Sequence, residues 1–422
     1  MNNVLDILKE RGLLEAVTSP DIHKAVEAPL AVYAGFDPSA ASLQVGNFVT
    51  IMALAHFQRC GHRVIALVGG ATGMIGDPSG KTTSRTMLSA EQIEQNSRGV
   101  RENLSRFLDF NDAKAPAILV NNHDWFQSFT VVDFLRDVGV HFRVGTMLGK
   151  ESVRARLESE SGLSYTEFSY QLLQGYDFLK LYDTQQCRIQ IGGSDQWGNI
   201  TAGTDLIRKL RGAECYGMTF PLVCDSSGRK FGKSEGNAIY LDRRMTSYYD
   251  FYQFFIRVED ADVIRFLKIF TFVPLDEIAA LEAELKTAPE KRQAQRRLAE
   301  EVTRVVHGER GLAVAQRASA ILFGESMDGL NADDLLEVFA HVDATEMARQ
   351  ELAGLGLVDL AVRTTLCASK GEARRLIQSG GLYLNNRRVP GAEARVGPDD
   401  IVDGRLLVLR SGKKTFHLVK VS

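Results

Sequence analysis

Two lysines three residues apart, Lys230 and Lys233, carry the clearest chemical signal of this 422-residue chain. They belong to the segment Lys230-Phe231-Gly232-Lys233-Ser234, and glycine, serine and other turn-forming residues lie on both sides of it. A lysine ammonium is a point charge with three rotatable donors, so the pair suits a polyphosphate that changes shape during a reaction. Because turn residues flank the segment, we expect an exposed loop that is free to move and has no part packed in a core. A solvated basic loop is the alternative interpretation of the bare segment.

A second group of candidate residues lies where a predicted strand turns into a predicted helix. Residues 33–39 (YAGFDPS) leave the strand, and residues 42–47 (SLQVGN) enter the helix. Backbone N–H groups and the helix dipole make such a helix start a site for anions. Gly46 would allow a nucleotide to approach the backbone closely. The alternative is an ordinary strand–turn–helix corner without a ligand.

The glycine-rich segment 69–82 (GGATGMIGDPSGKT) resembles a nucleotide-binding loop only at its end. The phosphate-binding pattern G-x-x-x-x-G-K-T would need glycine at position 75, where the chain has Ile75. The glycine spacing also differs from the dinucleotide-binding pattern, so we reject both interpretations. A tight turn remains, and it places Asp77 at the mouth of a pocket, where the carboxylate could hold an ammonium group.

One predicted helix carries Tyr170, Gln174 and Asp177 on a single face. The rest of this helix is apolar, and a buried polar stripe is unfavourable unless it lines a pocket. A stripe that faces solvent is the alternative. The segment 190–199 (QIGGSDQWGN) follows as another strand, glycine turn and helix start, in which Asp195 is placed to accept hydrogen bonds from ribose hydroxyls.

These candidate residues need a scaffold, and the first half of the chain alternates between apolar runs and helical patterns. The predicted strands cover 30–35, 63–70, 117–121, 187–191 and 216–224, and the helices cover 48–59, 90–108, 165–181 and 195–210. Buried strands that alternate with helices indicate a parallel α/β sheet with helices on both faces. Ligands of such sheets bind beyond the carboxyl ends of the strands, which is where the polar candidates collect.

The composition is that of a globular protein of two or three domains, and its charge is uneven. Residues 357–422 contain 12 Lys and Arg against 6 Asp and Glu, a net +6; since the whole chain carries −3, the other residues carry −9. A basic module on an acidic body is typical of an appended nucleic-acid-binding domain. Five scattered cysteines, no signal-peptide pattern and no long apolar run predict a cytoplasmic protein that does not enter a membrane.

The basic C-terminal segment has its own helix and hairpin signals. Ser369 and Glu372 have the spacing of a capping box at a helix start, and two glycines at 380 and 381 stop that helix. A strand over 382–384 and a turn of two asparagines follow. The basic residues of the helix and hairpin suit contact with an RNA backbone, with a solvated basic surface as the alternative. They are Lys370, Arg374, Arg375, Arg387 and Arg388.

Taken in order along the chain, five motifs resemble those of the bacterial tyrosyl-tRNA synthetases, a family of class I aminoacyl-tRNA synthetases. The motifs are YAGFDP (33–38), LVGGATGMIGDPSGK (67–81), TEFSYQLLQGYDF (166–178), IGGSDQWGNI (191–200) and KFGKSEGNA (230–238). The resemblance covers nearly the whole chain. Residues 357–422 resemble the small RNA-binding module shared by a ribosomal small-subunit protein and some RNA-modifying enzymes.

The resemblance implies a role for each candidate residue. Tyr33 and Asp177 would hold the phenol hydroxyl of L-tyrosine, and Lys230 and Lys233 would clamp pyrophosphate as catalytic residues. The residues implied for the amino-acid ammonium and carboxylate are Asp77, Tyr170, Gln174 and Gln196. Those implied for ATP, besides the two lysines, are Gly35, Gly46, Asn47, Gly193 and Asp195, and the further catalytic candidates are Ser39 and Gln44.

The chain departs from the family pattern where the HIGH element of class I enzymes should stand. Residues Gln44-Val45-Gly46-Asn47 occupy this place, so both histidines are absent. The Gln44 amide can donate a hydrogen bond but carries no charge, which predicts a weaker contact and some loss of rate. Asn47 can keep a donor on the adenine side. Ala34 replaces a side chain that touches the ribose in relatives.

The family resemblance therefore implies a tyrosine–tRNA ligase in three domains. We expect a Rossmann-like parallel-sheet catalytic domain over 1–240, a helical anticodon-side domain with a linker over 246–345, and an α+β RNA-binding domain over 357–422. The expected partners are L-tyrosine, tRNA(Tyr), and ATP with Mg²⁺, without a tightly bound cofactor, in a homodimer. The alternatives are an enzyme that activates tryptophan, which the hydroxyl-binding pair disfavours, and a non-catalytic RNA-binding relative.

Overall fold

The structure is a computed structural model that describes residues 3–79, 88–160, 162–234, 237–322, 324–327, 330–339, 342–412 and 415–422. For Lys233, Ser234 and Asn237 it describes the backbone alone. The chain forms two compact units, one of residues 1–246 and 254–306, the other of residues 247–253 and 307–422. Within the described ranges, no helix combines the length and the apolar character that crossing a membrane requires.

A mostly parallel sheet forms the centre of the first unit. Its strands in the described residues are β1 (Ala16–Val17), β2 (Ala31–Phe36), β3 (Arg63–Val68), β4 (Ile118–Asn121), β5 (Cys187–Gly193) and β6 (Tyr216–Phe220), in the order β1-β6-β5-β2-β3-β4. Only the short edge strand β1 is antiparallel to its neighbour in this sheet. Because β2 leads to β3 on one side and β5 leads to β6 on the other, the winding reverses between β2 and β5. The predicted parallel α/β sheet is confirmed.

Helices connect these strands. They are α1 (Val4–Glu10), α2 (Ile22–Ala25), α3 (Val45–Arg59), α4 (Thr72–Ile75), α5 (Ala90–Leu104), α6 (His123–Phe126), α7 (Val131–Asp137), α8 (Val144–Leu148), α9 (Glu151–Leu157), α10 (Tyr165–Gln185) and α11 (Trp197–Arg211). Ser164 caps α10 by accepting a hydrogen bond from the Glu167 N–H, and Gln186 ends it in the left-handed conformation. The four helices predicted for this half are present, although α11 begins after a short 3₁₀ turn over Ser194–Gln196.

The next segment is helical, as predicted. A two-stranded ladder of β7 (Lys233–Ser234) and β8 (Asn237–Ala238) precedes α12 (Tyr248–Ile256), α13 (Asp260–Phe270), α14 (Leu275–Thr287) and α15 (Gln293–Leu322). Proline often starts a helix and glycine often ends one, but neither rule holds at Pro289 and Gly308. Pro289 begins only a 3₁₀ turn, and Gly308, at φ 73° and ψ 178°, kinks α15 without ending it. Glycine adopts this backbone conformation without steric strain, so the chain resumes its helix beyond the kink.

The C-terminal part of the second unit is an α+β module. It contains α16 (Ala332–Val338), β9 (Ala344–Met347), α17 (Arg349–Leu352), α18 (Leu357–Arg363), α19 (Lys370–Gln378), β10 (Leu382–Leu384), β11 (Arg387–Arg388), β12 (Leu406–Ser411) and β13 (Thr415–Val421). The strand order is β11-β10-β12-β13-β9 in the described residues. Strand β9, which the sequence analysis placed in a linker, pairs in parallel with β13. Its sequence carried no strand signal because only Met347 of its four residues is buried.

The signals predicted for the basic helix and hairpin are confirmed in their main features. Ser369 accepts a hydrogen bond from the Glu372 N–H at 3.2 Å, whereas the Glu372 carboxylate accepts from the Ala368 N–H instead of completing the box on Ser369. Asn385 and Asn386 turn the hairpin with φ values of 47° and 60°. Positive φ at both central residues is the requirement of a type I′ hairpin turn.

Candidate active site

A cavity of about 300 Å³ opens at the point where the sheet reverses its winding. The carboxyl ends of β2 and β5 form its floor, with Gly35 from the first strand and Gly193 from the second. This is the position at which open parallel sheets bind ligands. Most of the predicted site residues line the cavity. They are Tyr33, Gly35, Ser39, Gly46, Asn47, Asp77, Tyr170, Gln174, Asp177, Gly193, Asp195, Gln196 and Lys230.

The deep end of the cavity holds two groups that can recognise a hydroxyl. Tyr33 on β2 is 1% exposed, and its Oη atom is buried without a hydrogen-bond partner. Asp177 on α10 is 2% exposed and accepts hydrogen bonds from Trp125 Nε1 at 2.9 Å and Asn122 Nδ2 at 3.1 Å. Phe178 packs on the Tyr33 ring with 5.2 Å between centroids. A ligand hydroxyl placed here could accept from Tyr33 and donate to Asp177.

Burial shifts the pKa of both groups of this pair. Burial raises the pKa of Asp177 well above its ordinary value, while the hydrogen bonds from Asn122 and Trp125 oppose the rise. Burial also raises the pKa of Tyr33, and the nearby Asp177 carboxylate adds to this effect. Tyr33 therefore keeps its proton and acts as a donor, whereas the Asp177 carboxyl can accept in both forms and lacks a competing O–H donor only when it is ionised.

A network of amides and carboxylates forms the middle of the cavity. Gln196 Nε2 donates to Asp77 at 2.6 Å, and Gln174 Nε2 donates to Gln196 Oε1 at 3.4 Å. Asn199 Nδ2 donates to Gln196 Oε1 at 3.2 Å. Asp77 is buried in the cavity wall and not at the mouth, where the sequence analysis expected it. Its carboxylate makes this stretch of the wall suitable for an ammonium group.

Tyr170 lines the cavity, but its hydroxyl has a protein partner. It donates to Asp37 Oδ2 at 2.9 Å, and Thr72 Oγ1 donates to the other Asp37 oxygen at 2.7 Å. Asn122 Nδ2 donates to Thr72 as well as to Asp177. Burial raises the pKa of Tyr170, with the Asp37 carboxylate as the next cause. One chain of hydrogen bonds thus runs from Tyr170 through Asp37, Thr72 and Asn122 to Asp177.

The outer part of the cavity has the features of a nucleotide site. A Cβ at Gly193 would lie only 2.7 Å from Asp195 Oδ1, so a side chain there would displace this carboxylate. Burial and the nearby Asp77 raise the pKa of Asp195, and Lys230 lowers it. The start of α3 contributes Gly46 and Asn47 to the cavity wall. The Val45 and Asn47 N–H groups there already donate to the Ile239 and Gln44 carbonyls, but the helix dipole still favours an anion at this end.

Two predicted catalytic residues are not seen in the cavity wall. Gln44 does not line the cavity. It is the N-cap residue of α3, and its N–H donates to Asn47 Oδ1 at 3.1 Å. The side chain of Lys233 lies outside the described residues, as do Lys81 and Thr82 of the glycine-rich segment. Lys230 is exposed and lines the cavity.

The lysine loop differs from its predicted state in one respect. Residues 226–230 are exposed, as expected, but the half-buried Phe231 packs against aromatic rings of α12 and α13. Gly232 is fully covered. The expectation that no part of the loop packs in a core was therefore wrong. The turn residues on either side of Phe231 do not indicate that its ring packs against phenylalanines of α12 and α13.

Three residues that were not predicted from the sequence support the predicted ones through hydrogen bonds. Asn122 and Trp125 hold the Asp177 carboxylate, and Thr72 holds Asp37. Asn122 directly follows strand β4, and Trp125 lies in the short helix α6 after it. Ligands bind beyond the carboxyl ends of parallel strands, so this position in the chain is the signal that indicates both residues. Thr72 lies in the glycine-rich segment, whose glycine spacing does not indicate a role for it.

The basic residues predicted to contact RNA are all exposed on the C-terminal module. Lys370 forms an ion pair with Asp359 at 2.5 Å, so part of its charge is neutralised. The Arg388 guanidinium lies against Gly380, where any side chain would collide with it. Arg374 and Arg375 project from α19, and Arg387 belongs to β11.

Both parts of the chain match known protein families. Residues 24–324 match the family model for class I tRNA synthetases (W and Y), and residues 334–419 match the tyrosine–tRNA ligase SYY-like C-terminal domain. The chain is 50% identical to the tyrosine–tRNA ligase of Protochlamydia amoebophila, over 100% of this chain and 99% of that protein. It is 49% identical to the tyrosine–tRNA ligase of Geobacillus kaustophilus, over 99% of this chain and 100% of that protein.

A solved structure gives the same relationship. The C-terminally truncated mitochondrial tyrosyl-tRNA synthetase of Aspergillus nidulans superposes with a TM-score of 0.69 at 32% identity. The superposition covers 76% of this chain and 95% of that chain.

Proposed function

Since the chain belongs to the class I tRNA synthetases of the tryptophan and tyrosine type, we propose that it works as a tyrosine–tRNA ligase through the residues of this cavity. The reaction has two steps. L-Tyrosine and ATP form tyrosyl-adenylate and pyrophosphate, and the tyrosyl group then passes to the 3′-terminal adenosine of tRNA(Tyr).

One observation supports tyrosine as the amino acid above all others: the pair Tyr33 and Asp177 at the deep end of the cavity. A donor without a partner and a carboxylate with a raised pKa are both buried there. The phenol hydroxyl of tyrosine would pair with both. Phenylalanine would leave Tyr33 without a partner and would bring Asp177 no donor beyond Asn122 and Trp125. The indole of tryptophan offers a donor but no acceptor. Tyrosyl-tRNA synthetases are themselves the established example of such selection through a substrate hydroxyl.

The network in the middle of the cavity is proposed to hold the reacting end of tyrosine. Asp77 and Gln174 would accept from the ammonium group, and Tyr170 would contribute its hydroxyl oxygen while it donates to Asp37. Gln196 lies next to Asp77 and would orient the carboxylate. These contacts fix the direction from which a carboxylate oxygen can approach ATP.

In the first step, a carboxylate oxygen of tyrosine attacks the α-phosphorus of ATP, and the bond from that phosphorus to the bridging β-phosphate oxygen breaks. Pyrophosphate leaves with the bonding electron pair. We propose that ATP enters as its Mg²⁺ complex, so the ion belongs to the substrate. Asp195 and Gly193 would hold the ribose, with Gly35 and Ser39 beside the phosphates.

Catalysis by this cavity is proposed to rest on charge and position, without a protein nucleophile. Lys230 and Lys233 would stabilise the negative charge that grows on the pyrophosphate. Gly46 and Asn47 would present the start of α3 to the nucleotide. For Gln44 we propose an indirect role, because it lies outside the cavity wall and its N–H holds the Asn47 side chain.

In the second step, a hydroxyl of the terminal adenosine of tRNA attacks the carbonyl carbon of the adenylate, and AMP leaves. The class to which the chain belongs implies the 2′-hydroxyl. We propose that the exposed basic residues of α19 and β11 contact the RNA backbone, with Arg374 and Arg375 as the main candidates. These contacts should weaken as salt rises, since they release counterions from the phosphates.

We also propose a homodimer, supported by an apolar surface in the first unit. Eight large apolar or aromatic side chains within residues 131–165 are exposed, which is unusual for a monomer. They are Val131, Val132, Leu135, Val140, Val144, Leu148, Leu157 and Tyr165. Val131 and Tyr165 are 76% and 75% exposed. A Val131→Glu, Tyr165→Glu variant should sediment as a monomer at concentrations where the parent is a dimer; an unchanged dimer would place the interface elsewhere.

The division into a catalytic domain over 1–240, a helical domain with linker over 246–345 and an RNA-binding domain over 357–422 remains a proposal. So does a location in the cytoplasm, which the five free cysteines support, because disulfides are rare in a reducing compartment.

ATP–pyrophosphate exchange, measured separately with tyrosine, phenylalanine and tryptophan, tests the proposed function. Rapid exchange with tyrosine alone is expected. Exchange that depends on tryptophan would favour the other amino acid of the family, and no exchange with any of the three would indicate a non-catalytic RNA-binding protein. A Lys230→Ala, Lys233→Ala variant is the negative control.

A further inference from the structure

Phe231 lies between the two lysines of the loop, and an aromatic pocket receives its ring. The nearest ring is that of Phe266, with 4.1 Å between centroids, followed by Phe254 at 4.9 Å and Phe270 at 5.6 Å. Phe255 adds an edge contact at 5.9 Å. Aromatic pairs at these separations contribute beyond the area they bury. The loop is therefore anchored at its centre, while Lys230 beside the anchor is exposed.

The same aromatic group extends to helix α3. Phe270 stacks on Phe48 with 5.7 Å between ring centroids and 5° between ring planes. Phe48 directly follows the residues Gly46 and Asn47 that line the cavity. The lysine loop and the start of α3 thus rest on one continuous packed group.

The backbone next to Phe231 makes a second connection to α3. The Gly232 carbonyl accepts from the Ile239 N–H at 2.8 Å, and the Ile239 carbonyl accepts from the Val45 N–H at 2.9 Å. Gly232 has φ +105°, and a Cβ there would lie 3.2 Å from the Gly46 nitrogen. No other residue type fits this position without strain. At Gly232, the residue after Phe231, the loop backbone therefore lies close to the start of α3.

Helix α13 also holds the entrance of the loop. Asp262 Oδ2 accepts from the Ser226 N–H at 2.8 Å, and Arg265 donates to the Cys224 carbonyl. The Phe266 and Phe270 rings come from the same helix. Both the entrance and the centre of the loop are fixed to α13, so the position of its lysines depends on that helix.

We propose that Phe231 is a positioning residue for adenylate formation, which rests on the proposed function. Its ring sets the position of the lysine loop relative to the start of α3, so that both close on the phosphates of ATP from fixed directions. The ring touches no substrate and acts through Lys230 and Lys233. Its contribution should therefore appear in the handling of ATP and not in the binding of tyrosine.

A Phe231→Ala variant tests this proposal by steady-state exchange with ATP and tyrosine varied separately. We expect kcat/KM for ATP to fall roughly 10- to 100-fold, the range produced by small misplacement of reacting groups. KM for tyrosine should stay within about twofold, because the tyrosine contacts are intact. Phe231→Leu, which keeps an apolar side chain of similar reach, should recover most of the loss.

Phe272→Ala is the matched control. Phe272 is also half-buried and follows α13, but its ring contacts His56 and the Arg59 guanidinium, none of which lines the cavity. This variant should lose thermal stability to a similar extent as Phe231→Ala and keep kcat/KM for ATP. Equal losses of ATP kinetics in both variants would mean that Phe231 is only structural, and the proposal would be overturned.

Combination with Lys230→Ala provides the decisive readout. If Phe231 acts through the lysines, Phe231→Ala should cost much less in the Lys230→Ala background than in the parent, since the effects of residues that act as a unit are not additive. Additive effects would contradict the proposal. An inactive parent protein would instead disprove the proposed function, so the two failures can be told apart.

Discussion

Tyr33→Phe removes a single hydroxyl, and its consequences separate recognition of tyrosine from folding. In the free protein the Tyr33 Oη atom is buried without a partner, so it already bears a desolvation penalty. Such a penalty is about 1–3 kcal/mol, and the substitution recovers part of it. The ring and its contact with Phe178 at 5.2 Å remain. The melting temperature of the variant should therefore equal or exceed that of the parent.

The effect on activity should have the opposite sign. With tyrosine bound, the substitution removes one hydrogen bond between neutral groups, which contributes about 0.5–1.5 kcal/mol. This corresponds to a loss of roughly 2- to 13-fold in kcat/KM for tyrosine. Phenylalanine has no hydroxyl to meet Tyr33, so its kcat/KM should not fall. The preference for tyrosine over phenylalanine should decrease by the same factor as kcat/KM for tyrosine.

Exchange kinetics with both amino acids and a thermal unfolding curve test this prediction together. Two results would refute the reasoning. An unchanged kcat/KM for tyrosine would mean that Tyr33 does not meet the substrate hydroxyl. Equal losses for tyrosine and phenylalanine, with a lower melting temperature, would mean that Tyr33 only supports the wall of the cavity.

Four further predictions concern the same cavity. Asp177→Ala should reduce tyrosine activation more than Tyr33→Phe does, because it also leaves the donors of Asn122 and Trp125 unpaired. Asp183→Ala, at an exposed position of the same helix, is the control. An unchanged preference for tyrosine over phenylalanine in the Asp177→Ala variant would count against the proposed pocket. Lys233→Ala should slow adenylate formation in single-turnover experiments and leave the Kd for tyrosine unchanged; an unaltered rate would remove Lys233 from the mechanism. Because burial raises the pKa of Asp177, kcat/KM for tyrosine should fall with decreasing pH from a point above the ordinary aspartate pKa of about 3.9. The contribution of Asp177 to folding stability has the opposite pH dependence and declines as pH rises through the folded pKa. An Asp177→Asn variant whose kcat/KM falls at the same acidic pH as that of the parent would contradict the assignment. Gln44→Ala should reduce the activation rate less than about threefold, and Asn47→Ala should reduce it about fivefold. Of these two residues Asn47 lines the cavity and Gln44 does not, and a neutral hydrogen bond contributes about 1 kcal/mol. A larger loss in the Gln44→Ala variant would instead give Gln44 the direct role.

The scaffold of the site was predictable because nearly all residues of its four central strands, β2, β3, β5 and β6, are buried. Apolar runs such as 63–70 between helical patterns have few other interpretations. Strand β9 was not predictable, because three of its four residues are not buried and its pairing with β13 is decided by chain segments about 70 residues away. The two-residue edge strand β1 is too short to give any periodic signal.

The cavity shows the same division between local and distant information. The spacing of Tyr170, Gln174 and Asp177 predicted one helix face, and all three line the cavity. The donors that hold Asp177 lie about 50 residues earlier, just beyond β4 and in α6. The spacing along α10 does not reveal them, and only their position after the end of a strand indicates them. The anchoring of Phe231 likewise depends on phenylalanines of α12 and α13. A loop can look mobile in its own sequence and still be fixed by residues far along the chain.

Charging of tRNA tests the central claim most directly. The protein should be incubated with ATP, unfractionated tRNA, and labelled tyrosine or tryptophan in separate reactions. Tyrosine should become attached to the 3′-terminal adenosine of tRNA(Tyr), and the Lys230→Ala, Lys233→Ala variant should leave the tRNA uncharged. Attachment of tryptophan, or no attachment of either amino acid by an otherwise folded protein, would contradict the assignment of the cavity to tyrosine.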